Sequence, residues 1–260
     1  MLELKNPPLV EVGVSFDFEP NARKSGWDLE ILQKLINHYK DSLPNVEAQH
    51  DTNIEFQETS PTELPKVVKR ETKLMRARAM SEGGDRVFEI RDDAFTNYFV
   101  KLKNSYPGYD SVRDETIEKL RTYIRFFGPA NVKSAAIHYV DIVEIPRPEG
   151  GTIEMDDYFQ GSADLPLTPF GTIGAMAVHF MINPPTNDGP LFYRLQSIPS
   201  TSDQPIRMRM DWRKQCLAIN SLDIEEICSR LDRAHEYVSE CFQKSLTERT
   251  LDLFGRTTEG

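Results

Sequence analysis

The chain has 260 residues, of which 39% are hydrophobic and 28% charged, a balance typical of a folded globular protein. Its net charge of −10 opposes a general affinity for nucleic acid or for anionic membranes. The longest apolar run, Ile173 to Ile182, is far shorter than the ~20 residues of a membrane span. The N-terminus lacks a signal-peptide pattern, and the three cysteines include no CxxC pair. We therefore predict a cytoplasmic protein without a membrane partner.

The first predicted elements are a strand and a helix. From Val10 to Phe18, apolar and polar residues alternate over nine positions, which is the period of a strand with one buried face. Ser25 and Asp28 form a capping signal, and an amphipathic helix follows them. Residues 41–65 are polar and proline-rich and predict a long surface loop, with a short edge strand around residues 54–56 as an alternative.

The middle of the chain predicts hairpins and a second helix. Glycine and aspartate turn signals separate three strand-like segments, at about 67–80, 86–91 and 94–103. The second helix has a predicted capping box of Ser111 and Asp114 and ends at Gly128, which precedes a proline.

The remaining segments continue this pattern. Strands are predicted at about 133–145, 172–183, 190–198 and 205–216. A long amphipathic helix from about Asp223 to Phe254 then carries apolar residues, Leu231 among them, at spacings of three and four. Strands joined by short turns and followed by long helices predict an α+β fold, with antiparallel sheet or sheets and helices packed on one face.

The predicted organisation has three parts. Residues 1–145 form an N-terminal α+β half, 146–171 a crossing loop, and 172–260 a C-terminal half of strands plus the long helix; one continuous domain is the alternative. Two segments, Leu74–Arg78 and Ile206–Met210, share an R-x-R pattern. This echo leaves open whether the two halves are a duplication.

No catalytic motif is recognised. The glycine pairs are not followed by a phosphate-loop lysine, no G-x-S-x-G elbow exists, and the cysteines read as structural. His138 could meet Asp141 and His179 at a metal, but positions three apart on a strand point to opposite faces. We therefore predict no catalytic residues, no metal and no cofactor. A hydrolase or transferase of unrecognised type remains an alternative, with residues 146–171 as its lid.

The most distinctive chemical feature is basic. Arg76 and Arg78 share one face of a predicted strand, and Arg207 and Arg209 share one face of another. Together they predict a groove for an acidic protein segment, a phosphorylated ligand or RNA. The alternative is a solvated sheet face whose arginines pair with the abundant acidic residues.

Three segments carry a resemblance: Asn6–Glu11, His138–Pro146 with Asp157–Phe159 after it, and Asp211 followed by a helix. Together they resemble a sporadically distributed bacterial family of about 250 residues, with an N-terminal PPxxE opening and a C-terminal helix bearing His, Phe and Thr. The helix residues here are His235, Phe242 and Thr247.

The resemblance implies a bacterial origin and a single structural unit, in a mobile-element or defence context. His138 and Asp141 stand where that family usually carries Arg and Asn. The family has no established activity and supplies no catalytic residues.

These observations favour a non-enzymatic binding protein that recognises a protein or peptide partner. A nucleotide or RNA binder using the arginine strands is the second hypothesis, which the net charge disfavours. Homo-oligomerisation is left open.

Overall fold

A computed structural model describes residues 4, 6–19, 28–57, 66–101, 106–149, 153–160, 175–186 and 188–255. The strands in these ranges are β1 (Leu9–Glu19), β2 (Asn45–Gln57), β3 (Lys66–Met80), β4 (Arg86–Ile90), β5 (Ala94–Val100), β6 (Asn131–Ile145), β7 (Ala177–Ile182), β8 (Leu191–Ile198) and β9 (Ile206–Cys216). The helices are α1 (Leu29–His38), α2 (Tyr109–Phe127), α3 (Ile224–Ser245) and α4 (Glu248–Leu253), with a short 3-10 turn at Met155–Asp157.

The described strands form one antiparallel sheet in the order β2-β3-β4-β5-β1-β6-β9-β8-β7. The first strand of the chain therefore lies in the interior of the sheet, between β5 and β6. β2 and β7 are the two edge strands. One sheet thus runs through both predicted halves of the chain.

The alternation seen in β1 separates the two faces of the sheet. Val12, Val14, Phe16 and Phe18 are at most 4% exposed and face the main core. The residues between them point to the opposite face, where Gly13 lies under the ring of Tyr98; a Cβ at position 13 would meet that ring at 2.8 Å. The strand pairings extend this division of faces across the sheet.

All three long helices pack on the face that carries the core. The Thr116 hydroxyl of α2 accepts a hydrogen bond from Asn97 of β5 at 2.9 Å. His235 of α3 is hydrogen-bonded to Tyr139 of β6, and Tyr39 at the end of α1 packs its ring against Phe88 of β4. The α+β class, the antiparallel sheet, the helices on one face and the long C-terminal helix are confirmed. We call the opposite side the helix-free face.

The predicted surface loop at residues 41–65 is wrong over its first part. Residues Asn45–Gln57 form β2, which pairs along its whole length with β3. β2 is an edge strand with exposed side chains at positions 47–52, so it needs no buried face and carries no apolar alternation. Its polar composition therefore looked like a loop.

Two helix boundaries also differ from the prediction. α2 has Gly108 at its N-cap with no side-chain capping bond, so Ser111 already lies inside the helix. The predicted helix Asp223–Phe254 is interrupted after Ser245, where Leu246 adopts an extended backbone and forms a bridge with Phe159. Thr247 then caps α4 and donates its hydroxyl to the Asp157 carbonyl. Packing of residues 153–160 thus divides the helix.

The strand order has a regular arrangement on each side of the β1–β6 pair. β1 is followed outward by β5, β4 and β3, and β6 by β9, β8 and β7. α2 follows β5 in the chain as α3 follows β9. In the described ranges, no helix combines the length and the apolar composition needed to cross a membrane.

Candidate functional site

The first predicted arginine pair lies on β3, on the helix-free face. Arg76 and Arg78 both donate to Oε2 of Glu89 on β4, at 3.0 and 2.7 Å, and Arg76 also donates to the Gln49 side chain at 2.6 Å. The Glu89 side chain is only 10% exposed, whereas the two arginines are about one-third exposed. Much of the charge of this pair is therefore compensated inside the sheet.

The second pair lies on β9, also on the helix-free face. Arg209 holds the carboxylate of Asp211 with three contacts of 2.7 to 3.0 Å, and Arg207 Nε lies 3.4 Å from Glu144 Oε1. Arg207 and Arg209 are about 40% exposed. Each of the four predicted binding arginines thus has an acidic neighbour.

The two pairs share a face but are far apart. β3 and β9 are separated by five strand steps, which at ~4.8 Å each amount to ~24 Å. Following the pairings from Arg78 across the sheet leads to Gln215 on β9, six residues beyond Arg209. The two pairs therefore do not line one groove for a small ligand. A binding role for the four arginines remains a prediction.

The double variant Arg76→Ala with Arg78→Ala is expected to lower the free energy of unfolding by ~1–3 kcal/mol, because it leaves the shielded Glu89 carboxylate without a cation. Arg207→Ala is the matched control, since its partner Glu144 is 59% exposed and such pairs contribute ~0–1 kcal/mol. Urea unfolding of both variants measures the difference. Equal losses would mean that Glu89 does not depend on its arginines.

A cluster of charged side chains crosses three central strands on the helix-free face. His138 on β6 lies 3.7 Å from Glu11 on β1 and 3.7 Å from Asp211 on β9. Burial alone would raise the pKa of Asp211, but its contacts with His138 and Arg209 outweigh burial and lower the pKa to about 2. Sequence reasoning missed this cluster, because three outward-facing residues on separate strands become neighbours only once the strand order is known.

A second polar cluster lies on the opposite, helix-covered face. Tyr139 hydrogen-bonds through its hydroxyl to Nδ1 of His235 at 2.7 Å, and the His235 ring stacks on Tyr109 at 3.9 Å between centroids. Tyr109 in turn donates to Asp232 at 2.9 Å. Burial lowers the pKa of His235, so the imidazole is held in its neutral form. These contacts fix α3 over β6.

Asp141 belongs to this helix-covered face and is 5% exposed. Burial, followed by the negative charge of Asp211 across the sheet, raises the pKa of Asp141 to about 7. His138 lies on the other face, as strand parity predicts, so His138 and Asp141 do not converge. Within the described ranges, no group of three or more His, Cys, Asp or Glu side chains is arranged to hold a metal ion.

The cysteines have no features of a nucleophile. Cys216 is buried and donates to the Arg230 carbonyl of α3 at 3.6 Å, and burial raises its pKa to about 11. Burial also raises the pKa values of Cys228 and Cys241, which are half-buried. A thiol must ionise to attack, so these environments disfavour thiolate chemistry.

The edge strand β7 is exposed and apolar. Its sequence, AVHFMI, contains no Asp, Glu, Lys or Arg, and Phe180, Met181 and Ile182 are 46%, 62% and 40% exposed. Phe180 and Ile182 point to the side of the sheet that carries the helices, and Met181 to the helix-free face, as their pairing with β8 requires. Edge strands usually carry charges or proline that prevent pairing with another chain, and β7 carries neither.

Two exposed arginines lie beside β7 on the helix-free face. Arg194 on β8 and Arg213 on β9 are diagonal neighbours, since Arg194 pairs with Asp211 and Phe192 with Arg213. In the part of the chain that the structure describes, neither arginine lies within ion-pair distance of a carboxylate; Asp211 is held by Arg209 and His138. This edge is therefore locally positive on a protein of net charge −10.

No protein-family model and no curated protein matches this chain. The resemblance drawn from the three segments therefore stays a prediction, and the site must be interpreted from its own chemistry.

Proposed function

We propose that this protein is a non-enzymatic binding protein that recognises an extended, acidic segment of a partner protein by adding it as a strand at β7. The observation that carries the proposal is the exposed, uncharged edge strand next to Arg194 and Arg213. In strand addition, backbone hydrogen bonds supply affinity, and alternate side chains supply specificity.

The side chains around β7 define the partner. One face of an added strand would meet Phe180 and Ile182, which favours apolar residues. The other face would meet Met181 and approach Arg194 and Arg213, which favours acidic residues at every second position. The preferred segment therefore alternates apolar and acidic residues.

The two other hypotheses have less support. A nucleotide or RNA binder would need free cations, whereas Arg76, Arg78 and Arg209 are engaged with Glu89 and Asp211. A hydrolase or transferase would need a nucleophile or a base poised beside a reacting group, and neither polar cluster offers a nucleophile of lowered pKa. Strand addition uses groups that are exposed and uncompensated.

We also infer that the two sides of the sheet are repeats of one unit: a central strand, a three-strand meander and a long helix. The matching order of β1-β5-β4-β3 and β6-β9-β8-β7 supports this inference. The R-x-R echo does not, because β3 corresponds to β7 in this arrangement, whereas the second arginine pair lies on β9. A structure-guided alignment of the two units is the test.

A fluorescent peptide of alternating Val and Glu is expected to bind at least tenfold more tightly than its Val–Lys counterpart, and more weakly as salt is added, because the arginine charges are screened. Fluorescence anisotropy measures both. Arg194→Ala with Arg213→Ala is expected to weaken binding about fivefold. Arg233→Ala with Arg121→Ala, which removes two exposed arginines from α3 and α2, is the control and should leave binding unchanged.

Met181→Lys places a charge on β7 and is expected to weaken the Val–Glu peptide more than tenfold. Met75→Lys on β3, whose methionine is 45% exposed, is the matched control. Slower hydrogen exchange of the β7 amides on binding would distinguish strand addition from side-chain contact. Equal binding of both peptides, tighter binding of a single-stranded oligonucleotide, or a dimer that Met181→Lys dissociates would each overturn the proposal.

A further inference from the structure

Buried charges in this protein generally have partners. Lys214, 1% exposed, donates to the Asp188 carboxylate at 2.7 Å and to the carbonyls of Gly189 and Gln215 at 2.7 and 3.1 Å. Lys119, 4% exposed, donates to Asn97 and Glu115, both at 2.6 Å. This is the usual rule for buried polar groups, so each exception needs an explanation.

The exceptions gather around Asp141. The indole Nε1 of Trp212 and the hydroxyl of Tyr106 are buried without a hydrogen-bond partner. The Asp141 carboxylate receives no hydrogen bond from any side chain in the described ranges. Tyr139 pairs directly with Trp212, and Asp141 lies two residues further along the same face of β6, so these groups are neighbours.

Tyrosines complete the surroundings of Asp141. The charge of Asp141 contributes to the raised pKa values of Tyr106, Tyr139 and Tyr193, after the larger effect of burial, which places all three near the carboxylate. Tyr193 stacks on Trp212 at 4.1 Å between ring centroids. A buried carboxylate is thus surrounded by aromatic rings.

The unpartnered groups specify what they would bind. A buried carboxylate favours a cation, and aromatic rings attract organic cations through their π faces. The oxygen of Tyr106 can accept a hydrogen bond from an ammonium N–H, whereas the Trp212 N–H can only donate and needs an acceptor. One ligand satisfies all of them if an ammonium group and a hydrogen-bond acceptor lie close together in it.

We propose that Asp141, Tyr106 and Trp212 form a binding site for a small protonated amine that carries a neighbouring hydroxyl or carbonyl acceptor. The ammonium group lies against Asp141 and Tyr106, and the acceptor oxygen receives the Trp212 N–H. This site is on the helix-covered face and is independent of strand addition at β7.

A row of aromatic side chains connects the site to the edge of the sheet. Tyr139, Trp212, Tyr193 and Phe180 lie in register across β6, β9, β8 and β7. Their exposure rises along the row, from 2% at Trp212 to 46% at Phe180, with Tyr193 half-buried. The approach for the ligand is therefore from the β7 side, by displacement of the Tyr193 ring.

Ethanolamine is the probe, because it has an ammonium group beside a hydroxyl. At about pH 8 the Asp141 carboxylate is ionised, since its pKa is about 7. Ethanolamine is expected to change Trp212 fluorescence saturably and to raise the thermal unfolding midpoint. Ethylamine lacks the acceptor and ethylene glycol lacks the cation, so both should bind at least tenfold more weakly. A Trp27→Phe background leaves Trp212 as the only tryptophan.

Asp141→Asn keeps the shape of the side chain and removes its charge, and is expected to abolish the ethanolamine response while the protein stays folded. Asp114→Asn, at an exposed carboxylate on α2, is the matched control and should respond like the wild type. Tyr106→Phe should weaken binding several-fold. Equal responses to ethanolamine and ethylene glycol, or an unchanged response in Asp141→Asn, would show that only water satisfies these groups. A loss of stability in Asp141→Asn would give Asp141 a structural role and also overturn the proposal.

Discussion

Replacing Leu231 by Ala is expected to lower the free energy of unfolding by ~2–5 kcal/mol, one of the two largest effects anticipated for this chain. Leu231 lies on the buried stripe of α3 and is 0% exposed, between Ile227 and Ala234. Truncation removes the transfer free energy of the side chain and leaves a cavity that a close-packed core fills only partly. The result would show that α3 is part of the core.

Urea unfolding followed by circular dichroism measures this loss. Leu253→Ala on α4 is the matched control, since that leucine is 38% exposed and its truncation should cost ~1 kcal/mol or less. A similar small loss at both positions would contradict the packing of α3 against β6 and β9.

Asp141→Asn is expected to stabilise the protein at neutral and alkaline pH by up to ~4 kcal/mol. The folded state raises the pKa of Asp141 from 3.8 to about 7, and each pKa unit corresponds to ~1.4 kcal/mol. Between these two values the folded state holds a proton that the unfolded state has lost. The stability of the wild type therefore falls as pH rises from about 4 to about 7, and the penalty is complete above pH 7.

Unfolding free energies across this pH range measure the effect. The variant should lack the descending contribution, and Asp114→Asn should retain it. The groups that face Asp141 are Tyr106, Tyr139 and Tyr193, whose raised pKa values keep them neutral in this range, and Asp211 lies across the sheet. The neutral His235 of α3 lies next to Tyr139. Parallel pH profiles of wild type and Asp141→Asn would exclude a buried, unpaired carboxylate.

The predictable parts of the fold are those where one face is buried. β1 and the apolar stripe of α3 were recognised from their periods, because burial on one side imposes alternation of two or of 3.6 residues. β2 was missed because an edge strand exposed along its length is under no such constraint. The break at Leu246 was missed because its cause is a contact with Phe159, 87 positions away in the chain.

The candidate sites depend on strand order, which one sequence does not determine. Parity alone correctly placed His138 and Asp141 on opposite faces. It did not reveal that Asp211 would lie beside His138 on one face and raise the pKa of Asp141 through the sheet. The signal for β7 was present, since an apolar strand without a charge is unusual at an edge. Only the sheet order identified β7 as one.

The interior position of β1 has a consequence for synthesis on the ribosome. β1 leaves the exit tunnel first, yet one of its two neighbours, β6, begins 112 residues later, as the contact between Glu19 and Asn131 illustrates. At ~5–20 residues per second, the apolar strand waits ~6–22 seconds for that neighbour. During this interval only the β5 side of β1 can be covered by the nascent chain. The growing polypeptide therefore exposes an aggregation-prone edge, and chaperone capture is most valuable at this stage.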